Sequence, residues 1–113
     1  MEYTAEEIKD IVLEAKIAAR IAANDYFTSK LGGEDRYACG FAWVEIYGVK
    51  GNTRLGRAFK EAGIEQNYNK AFSIWNPSEH GCQNIDTKEA GADAAAKVFE
   101  KYGFRAYSCS RLD

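Results

Sequence analysis

Apolar residues recur every three to four positions through the first thirty residues, then every second position in three later stretches, with glycines marking most of the changes. Thr4-Ala5-Glu6-Glu7 is a capping box: the Thr4 hydroxyl can accept from the Glu7 amide while the Glu7 carboxylate reaches back to the cap. It predicts an Ala-rich helix over about 4–31, stopped at Gly32-Gly33. Ile8, Ile11, Val12, Ala15, Ala18, Ala19, Ala22 and Tyr26 fall on one face of that helix, and Leu13, Ile17 and Ile21 form a second stripe nearly opposite. One apolar face is enough to dock a helix on a sheet. The second stripe calls for another cover, and a homodimer through Leu13, Ile17 and Ile21 is expected.

Gly40–Gly48 alternates as a strand, with Ala42, Val44 and Ile46 on one side and Phe41, Trp43, Glu45 and Tyr47 on the other. A loop over Val49–Thr53 leads to a short helix, Arg54–Ala62, closed by Gly63. Lys70–Trp75 reads as a second strand, whose Phe72 and Ile74 join the aliphatic side. Asp86-Thr87-Lys88-Glu89 resembles another capping box and opens a helix through Tyr102, ended by Gly103. Phe104–Cys109 is a last strand and Ser110–Asp113 a short tail. The order is α-β-α-β-α-β, in one α/β or α+β domain over residues 1–113 with the helices on a three-stranded sheet over 40–109. Both gaps between strands can hold a crossover helix, which favours parallel pairing, while an antiparallel or mixed sheet stays open.

A chain of 113 residues, 46% hydrophobic and 28% charged, is long enough for one core and has the composition of a folded protein. No apolar run approaches a membrane span, and the first residues lack the regions of a signal peptide, so a cytoplasmic protein is expected. A formal charge of −2 offers no global attraction to phosphate backbones or membranes, so any nucleic-acid binding must rest on a local patch.

Ile74–Asn84 (IWNPSEHGCQN) holds the one histidine, the one proline, one of two tryptophans and one of three cysteines. Pro77 and Gly81 keep it from being a continuous helix or strand, and such loops often carry function. With parallel strands it would meet the Gly48–Arg54 loop and the tail at one rim, where open parallel sheets bind ligands. That rim would gather Lys50, Asn52, Thr53, Arg54, Trp75, Asn76, Ser78, His80, Gln83, Asn84 and Arg111, a set suited to an anion or nucleotide. The same residue types also serve as caps and turns, and the glycine spacing matches neither a P-loop nor a dinucleotide fingerprint. His80 with Cys39, Cys82 and Cys109 lacks a familiar zinc spacing, and no third group is evident to orient a His80–Cys82 pair. No metal, cofactor or catalytic residue is therefore expected. The other side of the sheet offers Trp43, Tyr47, Trp75, Arg105 and Tyr107, with Phe41 beside them, a combination that can stack bases of single-stranded nucleic acid. Cover by the long helix or a second subunit is the expectation for so apolar a face.

The stretches GFAWVEIYGVKGNTRLGRAF, KAFSIWNPSEHGCQN, KEAGADAAAKVFEKYGFRAY and the terminal SRLD resemble small uncharacterised proteins encoded by tailed bacteriophages, particularly those of marine cyanobacteria. The likeness spans about 26–113 and carries no catalytic motif. It implies a phage protein acting in the cytoplasm of an infected bacterium, with a host protein or a small anionic nucleotide-like ligand as the expected partner of a non-enzymatic binding protein.

Overall fold

The Thr4 side chain accepts from the Glu7 amide at 3.1 Å and the Glu7 carboxylate accepts from the Thr4 amide at 2.9 Å. This capping box starts α1, Ala5–Ser29, in the computed structural model, which describes residues 2–113. Then follow β1 (Gly40–Tyr47), α2 (Arg54–Glu61), β2 (Glu65–Gln66), β3 (Phe72–Trp75), α3 (Ile85–Lys101) and β4 (Arg105–Leu112). The chain is one α+β domain of three helices on an antiparallel four-stranded sheet ordered β2-β3-β1-β4. Among the described residues no helix is long and apolar enough to cross a membrane.

The expectation of three strands with parallel neighbours is corrected here. Strands β3 and β4 both run antiparallel to β1, and β2 runs antiparallel to β3. The reason lies in β2, whose two polar residues carry no alternation. The crossover through α2 joins β1 to β2, which point the same way but are separated by β3. The crossover through α3 likewise joins β3 to β4 with β1 between them. This is the split β-α-β connectivity of ferredoxin-like domains, preceded by an additional helix. Strand β4 also runs on through Ser110, Arg111 and Leu112, where a tail was expected, pairing them with Ala42, Phe41 and Gly40. The cap of α3 is Asn84, ahead of the expected Asp86.

All three helices lie on one side of the sheet. Ala42, Val44 and Ile46 of β1, Phe72 and Ile74 of β3, and Ala106 of β4 are buried beneath them. Helix α3 packs on β1 and β4, and α1 lies chiefly along α3 and secondarily on α2. Small residues permit the close approach: Ala15, Ala19 and Ala23 on α1 and Gly91, Ala92 and Ala95 on α3 are buried. A Cβ at Gly91 would stand 2.8 Å from Ser78 Cβ and 3.2 Å from the Ala19 carbonyl oxygen, so any larger residue forces these segments apart. Phe59 holds the other half of the core, its ring centroid 5.2 Å from Phe72, 5.3 Å from Phe104 and 6.5 Å from Phe99.

The second stripe of α1 is open, with Leu13 57%, Ile17 49% and Ile21 60% exposed. Truncation of fully buried Phe59 removes contacts to three other rings. Phe59→Ala is expected to cost about 3–5 kcal/mol, read as a lowered denaturation midpoint with the slope unchanged.

Candidate functional site

The antiparallel sheet splits the expected rim between its two ends. Lys50, Asn52, Thr53 and Arg54 follow the last residue of β1, where β3 and β4 begin. Asn76, Ser78, His80, Gln83, Asn84 and Arg111 lie at the opposite end, beside the start of β1. A pocket drawing on both groups does not exist.

Several of these side chains are occupied in holding the backbone. Thr53 caps α2, accepting from the Gly56 amide at 3.1 Å and donating to the Lys50 backbone carbonyl at 2.6 Å, while the Asn52 backbone carbonyl accepts from the Arg57 guanidinium. Asn84, fully buried, caps α3 by accepting from the Thr87 amide and hydroxyl and donates its own amide to the Arg36 carbonyl. The Gln83 and Asn84 backbone amides donate to the Asp35 carboxylate. Asn76, in a left-handed turn, donates to the His80 carbonyl, and the Ser78 hydroxyl donates to Asn76 and accepts from the His80 amide. His80 Nδ1 accepts from the Cys82 amide at 3.2 Å, and its ring lies 4.8 Å from Phe27. The loop richest in uncommon residues therefore spends most of its polar groups on its own shape. Lys50, Asn52 and Arg54 of the first group are exposed, Lys50 and Asn52 taking part only through their backbone carbonyls.

The cysteine chemistry is equally limited. Burial raises the Cys82 thiol above its ordinary value, and burial together with the Glu45 carboxylate pushes Cys109 up to about 11, so both stay protonated at neutral pH. Among the described residues, no three His, Cys, Asp or Glu side chains gather to hold a metal ion, and His80 does not converge with Cys39, Cys82 and Cys109.

The face turned away from the helices is different. Among the described residues neither α1 nor any other helix covers it, so the cover expected from the long helix is absent. Outward positions alternate along the two central strands and the β4 edge: Phe41, Trp43, Glu45 and Tyr47 on β1, Ser73 and Trp75 on β3, and Arg105, Tyr107, Cys109 and Arg111 on β4. Trp43 and Trp75 sit directly opposite each other, their rings stacked at 5.3 Å and 17°. Phe41 lies 5.5 Å from Trp75 on the other side, and the guanidinium of Arg111 stands 5.3 Å above the Phe41 ring. Lys88 reaches from α3 to the same ring, 5.4 Å away, while donating to the Gly40 carbonyl. Trp75 is 56% exposed and Tyr107 54%, with the Tyr107 ring packed edgewise on Tyr47 at 5.8 Å.

Glu45, only 9% exposed, sits in the middle of this face. Its carboxylate accepts from the Tyr47 hydroxyl at 2.6 Å, from Trp43 Nε1 at 2.8 Å and from the Cys109 thiol at 3.3 Å. The Tyr47 hydroxyl, then the Trp43 indole, hold it below the ordinary carboxylate range, against the opposing effect of burial. Tyr47 is raised in return, chiefly by this hydrogen bond. The charged form of Glu45 thus fixes two rings that flank it on the same strand.

Sequence reasoning places Trp43, Tyr47, Trp75, Arg105 and Tyr107 together, and the structure carries all five on this one face. It misses Arg111 and Lys88 as members, because β4 was ended two residues before Arg111 and Lys88 approaches from a helix. It also misses Glu45 as their anchor; a lone carboxylate amid outward aromatics was the available signal. No family model matches the chain, and neither the curated proteins nor the solved structures compared with it give a match.

A carboxylate with a depressed folded-state value stabilises the fold fully above its unfolded value, near 4.3 for glutamate, and that contribution disappears as pH falls through the folded value. Glu45→Gln is expected to flatten the loss of stability below about pH 4.3, and to change Trp43 fluorescence at neutral pH. Thermal melts of both proteins between neutral and acid pH, with emission spectra, check this.

Proposed function

We propose that this protein binds single-stranded nucleic acid by stacking bases on the Phe41–Trp43–Trp75 platform, with Arg105 and Arg111 meeting the phosphates. The observation that carries the reading is Trp75: over half exposed, stacked on Trp43, on a central strand of a sheet whose outer side is bare. RNA-recognition modules use aromatic side chains on a four-stranded sheet in this way, stacking two or three bases. Trp43 is hydrogen-bonded and Trp75 rests on it, so little side-chain freedom remains to be lost on binding. The overall charge of −2 leaves attraction to the local cations, so binding is short-ranged and readily weakened by salt. If the chain shares the origin of the phage proteins it resembles, this ligand is met in the cytoplasm of an infected bacterium.

Self-association through the open Leu13, Ile17 and Ile21 stripe is part of the same reading. The stripe lies on α1, on the helical side of the sheet, so a homodimer formed there leaves both aromatic faces free.

Two measurements test these points. Base stacking is worth about 1–3 kcal/mol per base, so Trp75→Ala should weaken anisotropy-detected binding of a short oligothymidine about 5- to 150-fold while the melting temperature holds. Unchanged affinity would remove the platform from the binding surface. Ile17→Glu should shift sedimentation from dimer to monomer; a wild-type monomer at high concentration would dismiss the dimer.

A further inference from the structure

We infer that the cleft beneath the β1–α2 turn, formed by Lys50, Lys60 and Lys70, is a binding site for a phosphate group. Three lysines line this space of about 600 Å³ together with Gly51, Asn52 and Gln66, and no carboxylate does. None of the three takes part in an ion pair among the described residues, where the ion pairs present are Glu6–Lys9, Arg20–Glu79 and Glu14–Lys101. In a chain with 17 acidic and 15 basic residues, a cleft lined by three lysines and no carboxylate is locally positive and favours an anion.

The walls are preformed. A Cβ at Gly51 would stand 2.3 Å from Gln66 Oε1, so the amide end of the Gln66 side chain lies directly against the turn. The Lys60 ammonium donates to the Gly51 carbonyl at 3.2 Å, which draws it from α2 towards the turn. Gln66 in turn donates to the Lys70 carbonyl at 3.0 Å, fixing the backbone that carries the third lysine. Compact ammonium groups on flexible stems suit phosphate as point charges, and the volume admits a chain of several phosphates.

The site requires no base, so it stands independently of the stacking reading. Its phosphate could be a free inorganic or nucleotide phosphate, or the backbone of a strand lying across the aromatic face, because the turn continues directly from Tyr47.

Tripolyphosphate is the probe. At low ionic strength it should raise the melting temperature of the wild-type protein by several degrees relative to sodium chloride of matched ionic strength. Lys50→Gln/Lys70→Gln, both at exposed positions, should weaken that response at least tenfold in concentration, while Lys97→Gln on the far side of α3 leaves it unchanged. No response in the wild type, or an equal one in the double variant, overturns the inference. Oligothymidine separates the two sources. If the cleft carries the backbone of a bound strand, each lysine removed should lower the salt slope by about 0.7. If the double variant loses the tripolyphosphate response at an unchanged slope, the ligand is free phosphate. If Trp75→Ala abolishes oligonucleotide binding while the tripolyphosphate response persists, the cleft stands and the strand is held by the platform alone.

Discussion

Helix α3 is squeezed between the sheet and α1, and the rest of the molecule is arranged around that double contact. Only small side chains can satisfy it, and α3 supplies Gly91, Ala92, Ala95 and Ala96 where its neighbours approach. Closely packed interiors respond steeply to added volume, so this stripe fixes the distance between the two long helices. It also confines both of them to one side of the sheet. With no helix left to lie on the opposite side, the outward residues of β1, β3 and β4 remain a surface, and five of them are aromatic.

Such a surface would ordinarily be mobile. Here Glu45 trades solvation for three donors and holds Tyr47 and Trp43 apart on either side of itself. A buried carboxylate without a cation partner is tolerated only when its oxygens are well supplied with hydrogen bonds, so the rings and the charge depend on each other. Trp75, seated on Trp43, and Tyr107, seated on Tyr47, extend that order to the neighbouring strands. The aromatic face is therefore built outward from one glutamate.

Much of this was legible in the residues. The capping box at Thr4, the alternation in Gly40–Tyr47 and the small residues of α3 gave the helices, the central strand and the buried face. The five outward aromatic and arginine positions on one side were correctly grouped by period-two spacing alone. What was not legible was direction. Glu65-Gln66 is too short and too polar to announce a strand, and without it the α2 crossover seems to lead from β1 to its neighbour. That single omission turned an antiparallel sheet into a parallel one and created a rim that draws on loops from both ends. Asn84, Thr53 and Ser78 were ambiguous in the sequence for a related reason: a polar side chain that will cap a helix or close a turn looks, in sequence, the same as one waiting for a ligand.

Strand β4 forms the border of the sheet for eight residues, and among the described residues its outer backbone groups have no neighbouring strand. Borders of this kind invite another molecule's strand to add on, and proteins that remain dispersed usually guard them with charge. Here Ser108 donates to Asp93 and Ser110 donates to Glu89, so two carboxylates from α3 are tethered along the border, while Arg105 and Arg111 punctuate its other side. Charge therefore lines both faces of this border, held on one of them by serines that contribute nothing to the core.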